Sequence, residues 1–534
     1  MSSIKHLRGR IPLIVGMGYL LCLTPCAFPA SPALECKDLA SVKVPRTSIV
    51  SAELVEAGTF KPPGGSPLPD LKAFCRVAGI ATPSSDSNIK FEVWLPAAEW
   101  NGRLWGVGNG NFAGYMPYKS LGAELAEGYA AVGTDTGHEA GPTDASWAIG
   151  HPEKLVDYGY RAVHEVTVRA KRIVAEFYGR NPARSYFSGC SNGGRQGLME
   201  AQRYPDDYDG ILAGAPVLDQ THLNEGFAWI DFVVLGEKAA NLPSSKLPAI
   251  QAAALAACDS LDGVEDGVID DPRRCRFDPT ALLCKDSETD RCLTKSQLTA
   301  LQEIYAGRVL PGAAGIIRGY SPGAEAEGWD GWITGNNGDT GFHQFALGYF
   351  SGFVFGDSKW DYHSFDLDRD TRLAEKRLAS ILNATDADLN RFAARGGRLI
   401  LYHGWADPGI QPLTTVDYYD RVRDTIGQKK TAGSVRLFMV PGMLHCAGGP
   451  GPNSFGQFAA GTGDPNTKIG AALQRWVEAG IAPETIIATK RANDKDPNSE
   501  VRRTRPLCAF PNVTHYRGEG STDNAASFDC AAAP

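Results

Sequence analysis

The run Ser185-Tyr-Phe-Ser-Gly-Cys-Ser-Asn-Gly-Gly-Arg-Gln-Gly-Leu-Met199 packs a strand, a tight turn and a helix into one short stretch. Tyr186 and Phe187 read as strand, and Arg195 to Arg203 reads as helix. Between them, Gly189-Cys190-Ser191-Asn192-Gly193 matches G-x-S-x-G. A serine on so sharp a strand-to-helix turn projects its hydroxyl into the open, and small glycines let the chain turn that tightly. The helix that follows offers free N–H groups to a developing oxyanion. A Gly-rich βα loop without chemistry would carry the same letters, so the motif needs partners.

Working outward, strand and helix signals alternate. Ile89–Leu95 alternates apolar and charged residues, and Arg103–Val107 and Tyr129–Asp135 are apolar runs. A helical pattern spans about Tyr158 to Tyr178, and Gly210–Ala215 is a short buried-strand signal. The rhythm stops near Pro216 and resumes at Gly397–Tyr402 and Val435–Val440, followed by a helical run from Lys468 to Ala479. This order predicts an α/β fold with a mostly parallel sheet covered on both faces. The stretch between reads as a loop-rich insertion.

The chain has 534 residues, 43% hydrophobic and 21% charged, enough for a sizeable core. Its net charge of −8, with no basic patch, excludes the usual nucleic-acid footprint. Lys5, Arg8 and Arg10 precede an apolar run from Ile11 to Leu23, with small residues Ala27, Ala30 and Ala33 beyond. That is the pattern of a secretory signal, and the run is short for a membrane span. Of twelve cysteines, Cys22 and Cys26 fall in this leader, and the remaining even number in an exported chain reads as disulfides. Zinc fits poorly, since no C-x-x-C pair accompanies them.

A serine nucleophile needs a base, and the base an orienting acid. In the α/β-hydrolase order these follow as Ser, Asp or Glu, then His, each after a strand. His403-Gly-Trp-Ala-Asp407 follows the first resumed strand, and Pro441-Gly-Met-Leu-His445-Cys446 the second. Ser191, Asp407 and His445 therefore fit, with His403, His138 and His151 as competing loop histidines. His445 stands out because a cysteine follows it, as Cys190 precedes Ser191. Nucleophile and base must sit within hydrogen-bond reach, which brings Cys190 and Cys446 toward disulfide distance. Gly108-Asn-Gly-Asn111 follows an early strand and is placed to supply an oxyanion N–H from Gly110, with that of Asn192 as partner; a plain Gly-rich turn is the alternative. Within the insertion, Cys258-Asp-Ser-Leu-Asp-Gly-Val-Glu-Asp-Gly-Val-Ile-Asp270 concentrates carboxylates, as either a Ca²⁺ site or a solvated acidic turn. Cys258 and Cys275 bracket it.

Taken together, Gly189–Gly194, Tyr208–Pro216, Cys258–Gly263, His403–Asp407 and His445-Cys446 resemble the tannase/feruloyl esterase family, which includes a mono(2-hydroxyethyl) terephthalate hydrolase. The likeness runs from Cys36 to Cys530. It implies an α/β-hydrolase with a large lid inserted after the nucleophile half: a signal at 1–33, core at 34–216, lid at 217–392, core again at 393–534. It also implies a Cys190–Cys446 bridge, and further pairs Cys36–Cys75, Cys258–Cys275, Cys284–Cys292 and Cys508–Cys530. A structural Ca²⁺ in the lid is implied, held by Asp259, Asp262 and Asp266 and the carbonyls of Val264 and Val268.

The implied activity is a secreted or periplasmic serine esterase cleaving esters of aromatic acids, as small molecules or on plant polysaccharide, with no membrane attachment after cleavage of the leader. Phe342–Phe355 is rich in aromatics and is either the acid pocket or lid core. The terephthalate hydrolase holds a free carboxylate with a lid arginine, and no arginine lies between Arg318 and Arg369 here. Feruloyl esters come first, then galloyl and mono-terephthalate esters. A non-catalytic binder of phenolics or polysaccharide is the remaining reading.

Overall fold

The computed structural model describes residues 33–532, apart from 237–238, 311–314, 336–338, 459–460 and 497. The expected signal at 1–33, with Cys22 and Cys26, lies outside the described residues except for Ala33.

Among the described residues, nine strands form the central sheet. They are β1 (Thr47–Val55), β2 (Phe74–Ala81), β3 (Ile89–Pro96), β4 (Arg103–Val107), β5 (Ala130–Thr134), β6 (Arg184–Cys190), β7 (Gly210–Gly214), β8 (Arg398–Gly404) and β9 (Val435–Val440). Their spatial order is β1-β2-β3-β5-β4-β6-β7-β8-β9. From β5 to β9 every ladder is parallel. At the other edge β1, β2, β3 and β5 pair antiparallel, so the sheet is mostly parallel, as expected, with an antiparallel edge. This is the α/β-hydrolase fold.

The continuous apolar strands exist because both faces are covered. Phe187, Ile211, Leu399 and Leu401 pack on one face; their neighbours Tyr186, Leu212, Ile400 and Tyr402 pack on the other. Helices α1 (Ala162–Tyr178), α2 (Asn192–Arg203) and α4 (Pro412–Ile426) cover the first face, and α5 (Ile469–Ala479) the second, with α3 (Leu367–Leu382) lying in the insertion. Of the two charged positions of β3, Lys90 reaches solvent but Glu92 does not. Glu92 is buried, where it pairs with Arg76 and accepts from Trp94 Nε1 (2.7 Å) and Tyr118 Oη (3.1 Å).

Between β7 and β8, none of the described residues joins the central sheet. This stretch is less loop-rich than its sequence suggests. Besides α3, it holds helices Gln220–Ala228, Leu247–Cys258, Lys295–Ala306 and Gly341–Gly348, and a small hairpin of Gly307–Val309 with Ile316–Arg318. Its own apolar core gathers Phe227, Trp229, Phe342, Tyr349, Phe350 and Val354. That core absorbs most of the aromatic run that could have been pocket lining. Five disulfides close the expected pairs, 36–75, 190–446, 258–275, 284–292 and 508–530. Among the described residues, no helix is long and apolar enough to cross a membrane.

Candidate active site

Ser191 sits between the end of β6 and the first turn of α2, with φ +63° and ψ −124°. A non-glycine residue at positive φ is strained, and it persists only where its surroundings hold it. Here they do: Ser191 N–H donates to Gly214 O (3.0 Å), and Ser191 O accepts from Arg195 N–H (3.1 Å) and Val217 N–H (3.2 Å). The flanking glycines are needed for close approach. A Cβ on Gly189 would lie 2.5 Å from the Gly193 carbonyl carbon, and one on Gly108 would lie 2.7 Å from Gly193 Cα. The glycine loop after β4 is thus pressed backbone-to-backbone against the turn that carries Ser191.

Asn192 locks the two together. Its Nδ2 donates to Asn109 O (3.1 Å), and its Oδ1 accepts from Arg195 Nε (2.9 Å) and Nη2 (2.7 Å). Arg195 has no exposed surface. Its remaining N–H groups reach Gly159 O (2.7 Å), Tyr158 O (3.2 Å) and Leu382 O (3.2 Å). The first two carbonyls belong to a π-helical turn, Asp157–Arg161, a local widening that frees carbonyls from the regular ladder. A buried guanidinium satisfied in this way ties the turn that carries Ser191 to the π-helical turn leading into α1 and to the end of α3. Nothing in the sequence marked Arg195 beyond its place at the start of the helical run.

The N–H groups at the start of α2, Asn192 included, precede its first intrahelical bond and are available to an anion. The Gly110 N–H, expected to face the oxyanion, donates to the Tyr115 hydroxyl (2.8 Å), and Asn109 N–H donates to Gln196 Oε1 (3.1 Å).

Asp407 and His445 meet as the motif order predicts. His445 Nδ1 lies 2.8 Å from Asp407 Oδ2, while Asp407 Oδ1 accepts from Gly409 N–H (2.8 Å) and Ile410 N–H (2.9 Å). Burial pushes the Asp407 carboxyl up, but His445 and His403 outweigh it and hold the group well below the usual carboxylate range. With Nδ1 turned to Asp407, Nε2 is the ring nitrogen not engaged by the carboxylate. His403, read from sequence as a competing base, is instead fully buried beneath the acid. Its Nε2 lies 3.2 Å from Asp407 Oδ2 and 3.1 Å from Ile410 O, and its Nδ1 is 2.8 Å from Thr415 Oγ1.

The Cys190–Cys446 bridge, with Cα atoms 6.1 Å apart, joins the immediate neighbours of Ser191 and His445. Each of those two residues is one peptide unit from a bridged half-cystine, about 3.8 Å between Cα atoms. The competing histidines are elsewhere engaged: His138 Nε2 is 2.9 Å from Phe112 O, and His151 Nδ1 is 2.8 Å from Asp86.

Beside His445 stands Trp332, which the sequence did not single out. Their rings meet edge-to-face with centroids 5.6 Å apart. Phe345 lies parallel to Trp332 at 6.2 Å and edge-on to Phe112 at 5.3 Å. The insertion therefore presents an aromatic wall to His445.

In the acidic loop, Asp262, Asp266, Val268 and Asp270 line a cavity of about 10 Å³ with Arg505. Asp259 accepts N–H bonds from Asp266 (3.3 Å), Gly267 (2.9 Å) and Val268 (3.3 Å), and Asp262 accepts from Val264 N–H (2.9 Å). Asp266 Oδ2 faces Arg503 and Arg505, and its Oδ1 is buried without a hydrogen-bond partner. Burial, aided by neighbouring carboxylates, raises Asp262 to about 6 and Asp270 to about 8. Crowded, desolvated carboxylates with an orphan oxygen are a donor set suited to a hard cation. Among the described residues, the loop does not bring three carboxylate oxygens within 4.8 Å of one another, so carbonyls have to complete any shell. Asp270, absent from the predicted ligands, shares the cavity.

The family model for tannase and feruloyl esterase matches residues 75–531. The chain belongs to this family. Tannase and feruloyl esterase relatives are carboxylic-ester hydrolases, and this chain aligns with them along nearly its whole length. It is 43% identical to an uncharacterised esterase of Xanthomonas campestris pv. campestris, over 100% of this chain and 96% of the relative. It is 32% identical to the mono(2-hydroxyethyl) terephthalate hydrolase of Piscinibacter sakaiensis, covering 91% and 89%. The crystal structure of feruloyl esterase B from Aspergillus oryzae superposes with a TM-score of 0.86 at 29% identity, covering 93% and 99%.

Proposed function

We propose that this chain is a secreted serine esterase that releases an aromatic acid from its ester, with hydroxycinnamoyl esters as the preferred class. The observation that carries this reading is the His445–Asp407 hydrogen bond in a site where Cys190–Cys446 bridges the neighbours of Ser191 and His445. Ser191 Oγ attacks the ester carbonyl while His445 Nε2 takes its proton, and Asp407 stabilises the imidazolium. The carbonyl oxygen becomes an oxyanion facing the N–H groups of Asn192 and Gly110, displacing the Tyr115 hydroxyl from the latter. Collapse expels the alcohol, protonated by His445, and leaves an acyl-serine. Water, deprotonated by His445, then attacks the acyl carbon, and the acid departs as Ser191 recovers its proton.

Trp332 and Phe345 favour a flat acyl group next to His445. The absence of arginine between Arg318 and Arg369 disfavours a second carboxylate on that ring. Export is supported by the basic and apolar start of the chain and by five disulfides, which persist in oxidising compartments. Asp259, Asp262 and Asp266 with the Val264 and Val268 carbonyls would hold a Ca²⁺ whose role is structural, with Asp270 in the same cavity as Asp262 and Asp266.

A hydrolysis panel of methyl ferulate, methyl gallate and the mono-terephthalate ester, run side by side, tests the reading. Highest kcat/KM on methyl ferulate, with fluorophosphonate labelling of Ser191, is the expected result. Preference for the gallate ester would make the chain a tannase. A folded protein that binds phenolics yet neither turns over nor labels would be a binding module.

A further inference from the structure

Where α1, the end of α2 and the following turn converge, three side chains meet that the esterase mechanism does not use. The ligating atoms of His164, Glu200 and Asp207 all lie within 4.8 Å of one another. His164 Nδ1 is 2.6 Å from Asp207 Oδ2, and the imidazole lies flat on Tyr204, centroids 3.8 Å apart and 7° from parallel. Glu200 is 1% exposed, and neither of its carboxylate oxygens has a hydrogen-bond partner. Asp207 is buried as well.

Two desolvated carboxylates side by side cannot both stay ionised unless a cation stands with them; otherwise one keeps a proton. Lys171 is close, but its ammonium donates to the backbone carbonyls of Asp206 and Asp207 and makes no hydrogen bond to either carboxylate. One imidazole nitrogen with two carboxylates is a donor set for a first-row divalent ion. The His164 side chain, 29% exposed, gives such an ion a way in.

We propose that His164, Glu200 and Asp207 bind one divalent transition-metal ion of the zinc–manganese class, at a site separate from the acidic loop. The ion takes up the orphan Glu200 oxygens. It ties α1 to α2 nine residues beyond Ser191, about 13 Å along the helix axis. It also anchors the turn that leads into β7. Its effect is on the rigidity of the nucleophile helix, with no part in the chemistry.

Co²⁺ is the probe, because imidazole ligation gives it visible ligand-field bands. The full chain is stripped with chelator, then titrated with Co²⁺ in excess Ca²⁺, which keeps the acidic loop saturated. The expected result is one equivalent of Co²⁺ with visible bands, and a Zn²⁺-dependent rise in Tm. His164→Ala and Glu200→Gln each lose at least about tenfold in affinity, along with the bands. Asp262→Asn retains both. Glu200→Gln keeps the side chain's shape, and partly exposed His164 provides a second variant should the buried change prevent folding. A wild-type chain that binds no Co²⁺ overturns the proposal and leaves a shared proton between Glu200 and Asp207. Unchanged affinity in both variants overturns it equally.

Discussion

His403 holds the acid from below: its Nε2 lies 3.2 Å from Asp407 Oδ2, the oxygen that also receives His445 Nδ1. Asp407 is thus fixed by two imidazoles and two backbone N–H groups. Its carboxyl is held below its unfolded value near 3.9. The stability this brings is present above that value and is lost only as pH falls through the lower folded one.

Removing His403 should therefore misplace the acid rather than the substrate. His403→Ala is expected to lower kcat by about ten- to a hundredfold with KM nearly unchanged. Asparagine at the same position, able to donate one hydrogen bond, should recover part of the loss. Steady-state kinetics on methyl ferulate decide it, and a kcat within twofold of wild type for the alanine variant would show that the backbone donors suffice.

Trp332 gives a test of the acyl pocket. Truncation to alanine removes an aromatic contact worth about 0.5–1.5 kcal/mol, or about two- to twelvefold in kcat/KM on an aryl ester. An aliphatic acyl ester should lose much less. Equal losses on both would mean that Trp332 only props His445.

His138 sets an acid limit on stability. It is 6% exposed, with its Nε2 near Phe112 O and its ring stacked on Trp147 at 3.6 Å. Burial lowers it to about 4, against 6.5 for an ordinary histidine. Between those values the unfolded chain binds the proton and the folded chain does not, so stability falls as pH drops through this window. The contribution is up to about 3 kcal/mol. Thermal melts at pH 7 and pH 4.5 should show a smaller pH-dependent drop in His138→Asn than in wild type. Parallel curves would remove His138 from the account.

Chelation should act on the acidic loop. Stripping Ca²⁺ is expected to lower Tm, and readdition at a hundred times Kd to restore about 2.7 kcal/mol. Asp270→Asn should weaken the response, since Asp270 shares the cavity with Asp262 and Asp266. A Tm indifferent to chelator and to Ca²⁺ would leave the loop held by Arg503 and Arg505, the Cys258–Cys275 bridge and its own backbone hydrogen bonds.

Much of this site could be read from the chain because its signals are local. The apolar runs at Arg103–Val107 and Val435–Val440 coincide with strands, and the residue order Ser191, Asp407, His445 follows from where strands end. Cys190 and Cys446 announced their bridge through their neighbours. What stayed hidden depends on long-range closure. Glu92 looked like a surface charge until Arg76, Trp94 and Tyr118 closed over it. Trp332 sits in a stretch with no periodic signal, and only the folded insertion brings it to His445. His403 lies four residues before Asp407, yet its role follows from the turn that Gly409 and Ile410 make around the carboxylate.

The Cys190–Cys446 bridge closes a loop with a sequence separation of 256, and the whole insertion lies inside it. A protease that nicks the insertion therefore releases nothing. The two fragments remain covalently tied at the residues flanking the serine and the histidine, and a nicked molecule migrates as one species until it is reduced. A break in the backbone of the insertion therefore leaves Ser191 and His445 in one covalently joined molecule.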